Sequence, residues 1–188
     1  MRIFVAVEIP EAIRHGLSRL QDVLADRGLR DVRRVVPSGI HLTLRFCGEI
    51  PPETVRFLSE MLSPGAPFPA FSTTLDGLGV FPLEGPPRVL VVRIGAGSTL
   101  LDLARWVEER VRDAGLPAET RPFRAHLTLA RFRPGAGPPH PDRMKIPEDL
   151  RNTEIPVERF VLFQSHLELR GARYEPLKHF PLLGFPPP

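Results

Sequence analysis

The chain has 188 residues, 42% of them hydrophobic and 25% charged, so it can bury one substantial core and divide at most into two small lobes. No run of about 18 apolar residues could span a bilayer, Met1 to Glu8 is too short and too early charged for a secretory leader, and the single cysteine, Cys47, excludes an internal disulfide or a Cys-x-x-Cys zinc site; a soluble, cytoplasmic protein is expected. The net charge is +3, yet 23 of the 25 basic residues are arginine, the fork-shaped phosphate ligand, which fits a nucleotide or nucleic-acid partner and equally a GC-rich coding sequence.

Arg2 to Glu8 alternates as a buried strand central in a sheet, with Ile3, Val5 and Val7 on one face and Phe4 and Ala6 on the other. Pro10-Glu11 opens an amphipathic helix through Ile13, Leu17, Leu20 and Leu24 that stops at Gly28. A strand follows at His41, then a helix from Pro51-Pro52-Glu53 through Val55, Leu58 and Leu62, ended by Pro64-Gly65. Phe71 to Phe81 and Arg88 to Ile94 read as strands, and Thr99 to Ala114 as a third helix carrying Leu100, Leu103, Trp106, Val107 and Val111. A strand at His126, a Pro/Gly loop over Pro134 to Pro141, one long or two short strands over Ile155 to Leu169, and a last strand from Arg173 to Leu182 complete the chain. Residues 1–188 therefore read as one α+β domain of two pseudo-symmetric lobes. Each lobe carries a small, mostly antiparallel sheet with helices outside, and the lobes meet at a cleft.

The tetrapeptide His-Leu-Thr-Leu occurs twice, at His41 to Leu44 and at His126 to Leu129, 85 positions apart. A repeated tetrapeptide of unspecified letters arises easily by chance. The weight lies in these letters and in the flanks, because both copies follow a proline and arginines and both run on into an arginine and a phenylalanine: Arg45 and Phe46, Arg131 and Phe132. In a strand, alternate side chains share a face, so each copy presents one imidazole and one hydroxyl together and turns its leucines the other way. Two such strands side by side would surround a small anion with two histidines and two threonines, the equipment for acid-base cleavage of a phosphate ester without a metal.

Other motifs carry less. Gly95-Ala96-Gly97-Ser98-Thr99 has Leu100 where a dinucleotide loop needs its third glycine, and Thr99 with Asp102 makes a capping-box pattern, so a turn and cap is the expected role. The histidines are scattered and no paired-carboxylate cluster or His-Glu-x-x-His occurs, so no metal or other cofactor is expected. His15, His140, His166 and His179 have no assigned role.

His41-Leu42-Thr43-Leu44 with Arg45 to Glu49, and Phe123 to Arg131 around His126-Leu127-Thr128-Leu129, resemble the two His-x-Thr signatures of the 2H phosphoesterase superfamily, specifically its bacterial and archaeal RNA 2′,3′-cyclic phosphodiesterases, historically called 2′-5′ RNA ligases. The resemblance covers nearly the whole chain and implies a bilobal fold and metal-free opening of 2′,3′-cyclic phosphates to 2′-phosphates. It implies His41 as proton donor and His126 as proton acceptor, although the near symmetry of the signatures leaves the reverse assignment open. It also implies that Thr43 and Thr128 hold phosphate oxygens and that Phe46 and Arg131 flank the nucleobase. Strand alternation puts Phe46 and Arg131 on the leucine side, so the strands must end or bulge there. Arg131, or one of Arg33, Arg34, Arg121 and Arg124, would offset the charge growing at phosphorus. The expected partner is RNA with a cyclic phosphate end, or a cyclic nucleotide, bound by a monomer. Two rivals are the reverse reaction, ATP-independent 2′-5′ ligation in the same site, and a non-catalytic RNA-binding module, against which the paired histidines and threonines argue.

Overall fold

The computed structural model describes residues 1–30, 32–137, 139–151, 153–168 and 171–184. In chain order the elements are β1 (Arg2–Glu8), α1 (Glu11–Asp26), β2 (Val32–Arg34), β3 (His41–Glu49), α2 (Pro52–Leu62), β4 (Phe71–Phe81), β5 (Val89–Gly95), α3 (Ser98–Asp113), β6 (His126–Phe132), β7 (Glu154–Val157), β8 (Arg159–Glu168) and β9 (Gly171–Pro181). Of the one long or two short strands expected over Ile155 to Leu169, the chain forms two, and Leu169 itself lies outside the described residues, as does Pro138 of the Pro/Gly loop.

The nine strands pair antiparallel in the order β7-β4-β5-β6-β3-β1-β8-β9, with β2 added to β6. The expected lobes are the two arms of this sheet, β3-β1-β8-β9 and β6-β5-β4-β7. They are joined at a narrow seam where β3 and β6 share the single register position Leu42↔Leu127. The lobes are not successive halves of the chain, because β8 and β9 return to pair with β1 in the first arm.

One core collects Ile3, Val5 and Val7 of β1 with Leu17, Leu20 and Leu24 of α1, Leu58 and Leu62 of α2, Leu103 and Val107 of α3, and the leucines of both tetrapeptides. The helices therefore share one side of the sheet. The other face of β1 is buried as well, Phe4 and Ala6 packing with Val161 and Phe163 of β8, which accounts for an apolar run with no polar face.

One local expectation is corrected. Helix α3 begins at Ser98 on the extended Gly97, with no side-chain cap; Thr99 already lies inside the first turn and cannot be the N-cap, and Asp102 pairs instead with Arg105 at 2.9 Å. The short β2 gives no periodic signal in the sequence, and it forms because β6 offers it a partner over Val32 to Arg34.

Candidate active site

The strand alternation expected of the tetrapeptides holds in both. Leu42, Leu44, Leu127 and Leu129 are buried in the core, while His41, Thr43, His126 and Thr128 are half-buried on the opposite face. At the seam, Leu42 faces Leu127 in an antiparallel register. Antiparallel strands count in opposite directions, so the same register sets His41 across from Thr128 and Thr43 across from His126. The four polar side chains thus alternate about a local two-fold centre at the seam.

Each imidazole is oriented the same way. His41 Nδ1 lies 2.9 Å from the carbonyl of Gly39, and His126 Nδ1 lies 2.7 Å from the carbonyl of Arg124. A carbonyl can only accept, so both Nδ1 atoms carry hydrogen and both Nε2 atoms are left to exchange protons. The main chain two residues upstream fixes the tautomer in each strand.

The surroundings of the two rings differ. His41 has Phe4 at 4.7 Å and Tyr174 edge-on at 4.8 Å between ring centroids, with Phe163 at 6.4 Å; among the aromatic rings of the described residues, His126 meets Phe81 alone, edge-on at 5.1 Å. Burial drives the His41 pKa down to about 4, against the hydrogen bond to Gly39, and the nearby charges of His126 and Arg131 push the same way. Burial also lowers the pKa of His126, opposed by its bond to the Arg124 carbonyl. A cavity of about 120 Å³ opens beside His41 among Glu8, Arg14, Ser38, Phe163 and Tyr174.

Of the two ways in which Phe46 and Arg131 could come to the threonines' face, a strand end or a bulge, both strands take the bulge. The β1/β3 register steps from Ala6↔Thr43 to Val5↔Arg45 and then from Val5↔Arg45 to Phe4↔Phe46 without further slip, so Leu44 is the extra residue and Phe46 shares the face of Phe4 and Thr43. In β6 the register with β5 steps from Val91↔Thr128 to Leu90↔Ala130, so Leu129 is extra and Arg131 returns to the face of Thr128. The fourth residue of each tetrapeptide is therefore the bulge. Phe46 is exposed, with the Arg2 guanidinium 5.0 Å from its ring centroid.

Sequence reading missed the residue that fastens the second bulge. Gln21 of α1 is buried, and its Nε2 donates at 2.8 Å both to the carbonyl of Leu129 and to that of Val35. Two carbonyl partners identify the amide nitrogen, and a buried glutamine with both hydrogens used holds β2, the bulge and α1 together. The only signal in the sequence was a glutamine on the apolar stripe of α1.

Of the candidate arginines, Arg34 pairs with Asp22 and Arg121 with Glu119. Arg124 stands over Phe81 at 5.9 Å, behind His126, and Arg33 lies directly across from Arg131. Arg45 does not follow Phe46 to the cleft: it turns to α3, where Glu108 accepts from its Nε, and donates to the carbonyl of Pro117 at 2.6 Å. The other histidines each sit by a carboxylate: His15 by Glu11, His140 by Asp142, His166 by Glu175 and His179 by Glu8. Burial pushes the Cys47 thiol up to about 12, so it is no nucleophile. Among the described residues no three His, Cys, Asp or Glu side chains gather as metal ligands would, and no helix is long and apolar enough to cross a membrane.

Comparison with known proteins converges on one family. The LigT like Phosphoesterase family matches residues 7–91 and 94–174. The RNA 2′,3′-cyclic phosphodiesterase of Thermus thermophilus is 37% identical over 98% of this chain and 91% of its own length, and that of Archaeoglobus fulgidus is 32% identical over 96% and 99%. Among solved structures, TT0787 of Thermus thermophilus superposes with a TM-score of 0.82 at 34% identity, covering 98% of this chain and 99% of its own. Escherichia coli LigT complexed with 3′-AMP does so with a TM-score of 0.77 at 26% identity, covering 97% and 98%. Since the match spans both arms of the sheet and both His-x-Thr strands, the chain belongs to the LigT-like phosphoesterases of the 2H phosphoesterase family.

Proposed function

We propose that the chain is an RNA 2′,3′-cyclic phosphodiesterase in which His41 is the proton donor and His126 the proton acceptor. The observation that carries this reading is the alternation of two imidazoles and two hydroxyls across the seam, with both Nε2 atoms free and both Nδ1 atoms tied to main chain. His126 takes a proton from water as the oxygen attacks phosphorus. His41 gives one to O3′ as the P–O3′ bond breaks, leaving a 2′-phosphate and a free 3′-hydroxyl. Thr43 and Thr128 donate to the non-bridging oxygens, where the charge develops. Phe46 and Arg131 flank the nucleoside.

The unequal walls suit these roles. An imidazolium enclosed by Phe4, Tyr174 and Phe163 is the stronger acid of the two, and the wetter His126 is the stronger base. The same burial leaves the His41 ring of the free protein neutral at pH 7. The negative phosphate offsets this on binding, since an anion beside the ring favours its charged form. The reverse reaction uses the same groups, and water at its bulk concentration favours hydrolysis unless two RNA ends are held together.

Incubation with an oligonucleotide ending in 2′,3′-cyclic phosphate, in excess EDTA, tests the reading. A 2′-phosphate end is expected; a 3′-phosphate end, or loss of all activity in EDTA, would overturn it.

A further inference from the structure

β2 adds to the open edge of β6 in a register that sets Arg33 directly across from Arg131, and direct antiparallel partners share a face. That face is the cleft face, because the β6 bulge has returned Arg131 to the side of Thr128. Two like charges placed this way repel, and a fold usually relieves such a pair with a carboxylate. Here, among the described residues, neither guanidinium joins an ion pair, although the next residue, Arg34, is paired with Asp22, and Arg121 with Glu119. The arrangement is also firmly built. Val35 donates to the Leu129 carbonyl at 2.8 Å, and Gln21 bonds both carbonyls from beneath. Arg33 reaches on toward β9, where a Cβ at Gly171 would stand 3.4 Å from its Nη2.

We propose that Arg33 and Arg131 form a subsite for the phosphodiester immediately 5′ of the cyclic end, which makes an RNA strand, rather than a free cyclic nucleotide, the preferred substrate. This rests on the cyclic phosphodiesterase reading above. Arg131 is near enough to His41 for its charge to act on that imidazole, and Arg33 stands directly across from it on β2, which takes the same edge of β6 as β3 does. An RNA that ends in a 2′,3′-cyclic phosphate can continue only from its 5′ oxygen. The next anion after the scissile one is therefore the one this pair of guanidinium groups would meet. Two unneutralised guanidinium groups on one face offer a phosphate charge-assisted hydrogen bonds, and the repulsion that the free protein bears is relieved on binding.

The test compares kcat/KM for a 2′,3′-cyclic mononucleotide and for a trinucleotide with the same terminal nucleoside and cyclic phosphate. The wild type is expected to favour the trinucleotide by about tenfold or more, and the preference should shrink as salt rises. R33Q should cut that preference about tenfold, R33K should retain most of it, and R56Q, which removes a charge from α2 far from the cleft, should leave both rates unchanged. A wild type that opens the mononucleotide with no preference for the trinucleotide overturns the subsite alone. So does an R33Q variant that lowers both substrates in proportion. A wild type that opens neither substrate removes the underlying reading, and the subsite with it.

Discussion

Lowering the pH should destabilise this protein through His41 by an amount that can be worked out. The ring is walled by Phe4, Tyr174 and Phe163, and burial holds its pKa at about 4, against 6.5 for an exposed histidine. As pH falls below 6.5 the unfolded chain takes up a proton that the folded protein refuses until about pH 4. Stability therefore falls with pH through that window and is constant above it. With these two pKa values, linkage gives a loss of about 2 kcal/mol between pH 7 and pH 5, rising to about 3 kcal/mol below pH 4. His126 shifts in the same direction, and the Glu119 carboxyl, held down to about 2 by Arg121, adds a loss at more acidic pH. Both contributions cancel when the wild type is compared with His41→Asn, whose amide can still donate to the Gly39 carbonyl. Urea unfolding of both proteins at pH 7 and pH 5 provides the assay, and the wild type should lose about 2 kcal/mol more than the variant over that interval. Equal losses in the two proteins would refute the claim that the aromatic wall keeps His41 neutral.

Three further substitutions separate the roles. Thr43→Val or Thr128→Val should lower kcat by about 100- to 1000-fold with little change in KM, as loss of one preorganised donor does; a change confined to KM in steady-state kinetics would remove the threonines from the transition state. His41→Ala and His126→Ala should abolish turnover while preserving product binding, whereas Phe46→Ala should raise KM more than it lowers kcat, because stacking worth about 1 to 3 kcal/mol acts alike in ground and transition states. Gln21→Leu takes the buried donor from the Val35 carbonyl and leaves the Leu129 carbonyl only the Val35 N–H, and should cost about 2 kcal/mol in urea unfolding and lower kcat/KM through the displaced Arg131. Full activity in a destabilised Gln21→Leu protein would show that the bulge does not depend on it.

Much of this architecture was legible in the sequence because its elements are long and periodic. α1 needed only Leu17, Leu20 and Leu24, and the two faces of β3 and β6 follow from period-two alternation. The bulges were legible only as a condition, since Phe46 and Arg131 could share the threonines' face only if the strands ended or bulged, and their position was not legible: a bulge is set by the partner strand's register, which one strand's letters do not carry. For the same reason β2 stayed hidden, as three residues make no period and the strand exists only because β6 has an edge there. The return of β8 and β9 to the first arm is likewise a long-range choice of partner. The unequal burial of the histidines was equally out of reach, because Phe4 and Tyr174 meet His41 only after β1, β3, β8 and β9 are side by side.

The central claim is that two imidazoles in opposite protonation states do the chemistry, and the pH dependence of kcat/KM tests it most directly. Both free histidines titrate below 6.5, His41 at about 4. The profile on a 2′,3′-cyclic substrate should therefore be a bell on the acid side of neutrality, with limbs that belong to the pair. The kcat bell should lie at higher pH, because the bound phosphate favours both imidazolium forms. A kcat/KM that instead climbs steadily to about pH 10 would point to hydroxide or a lysine or tyrosine base, and would contradict the two-histidine mechanism.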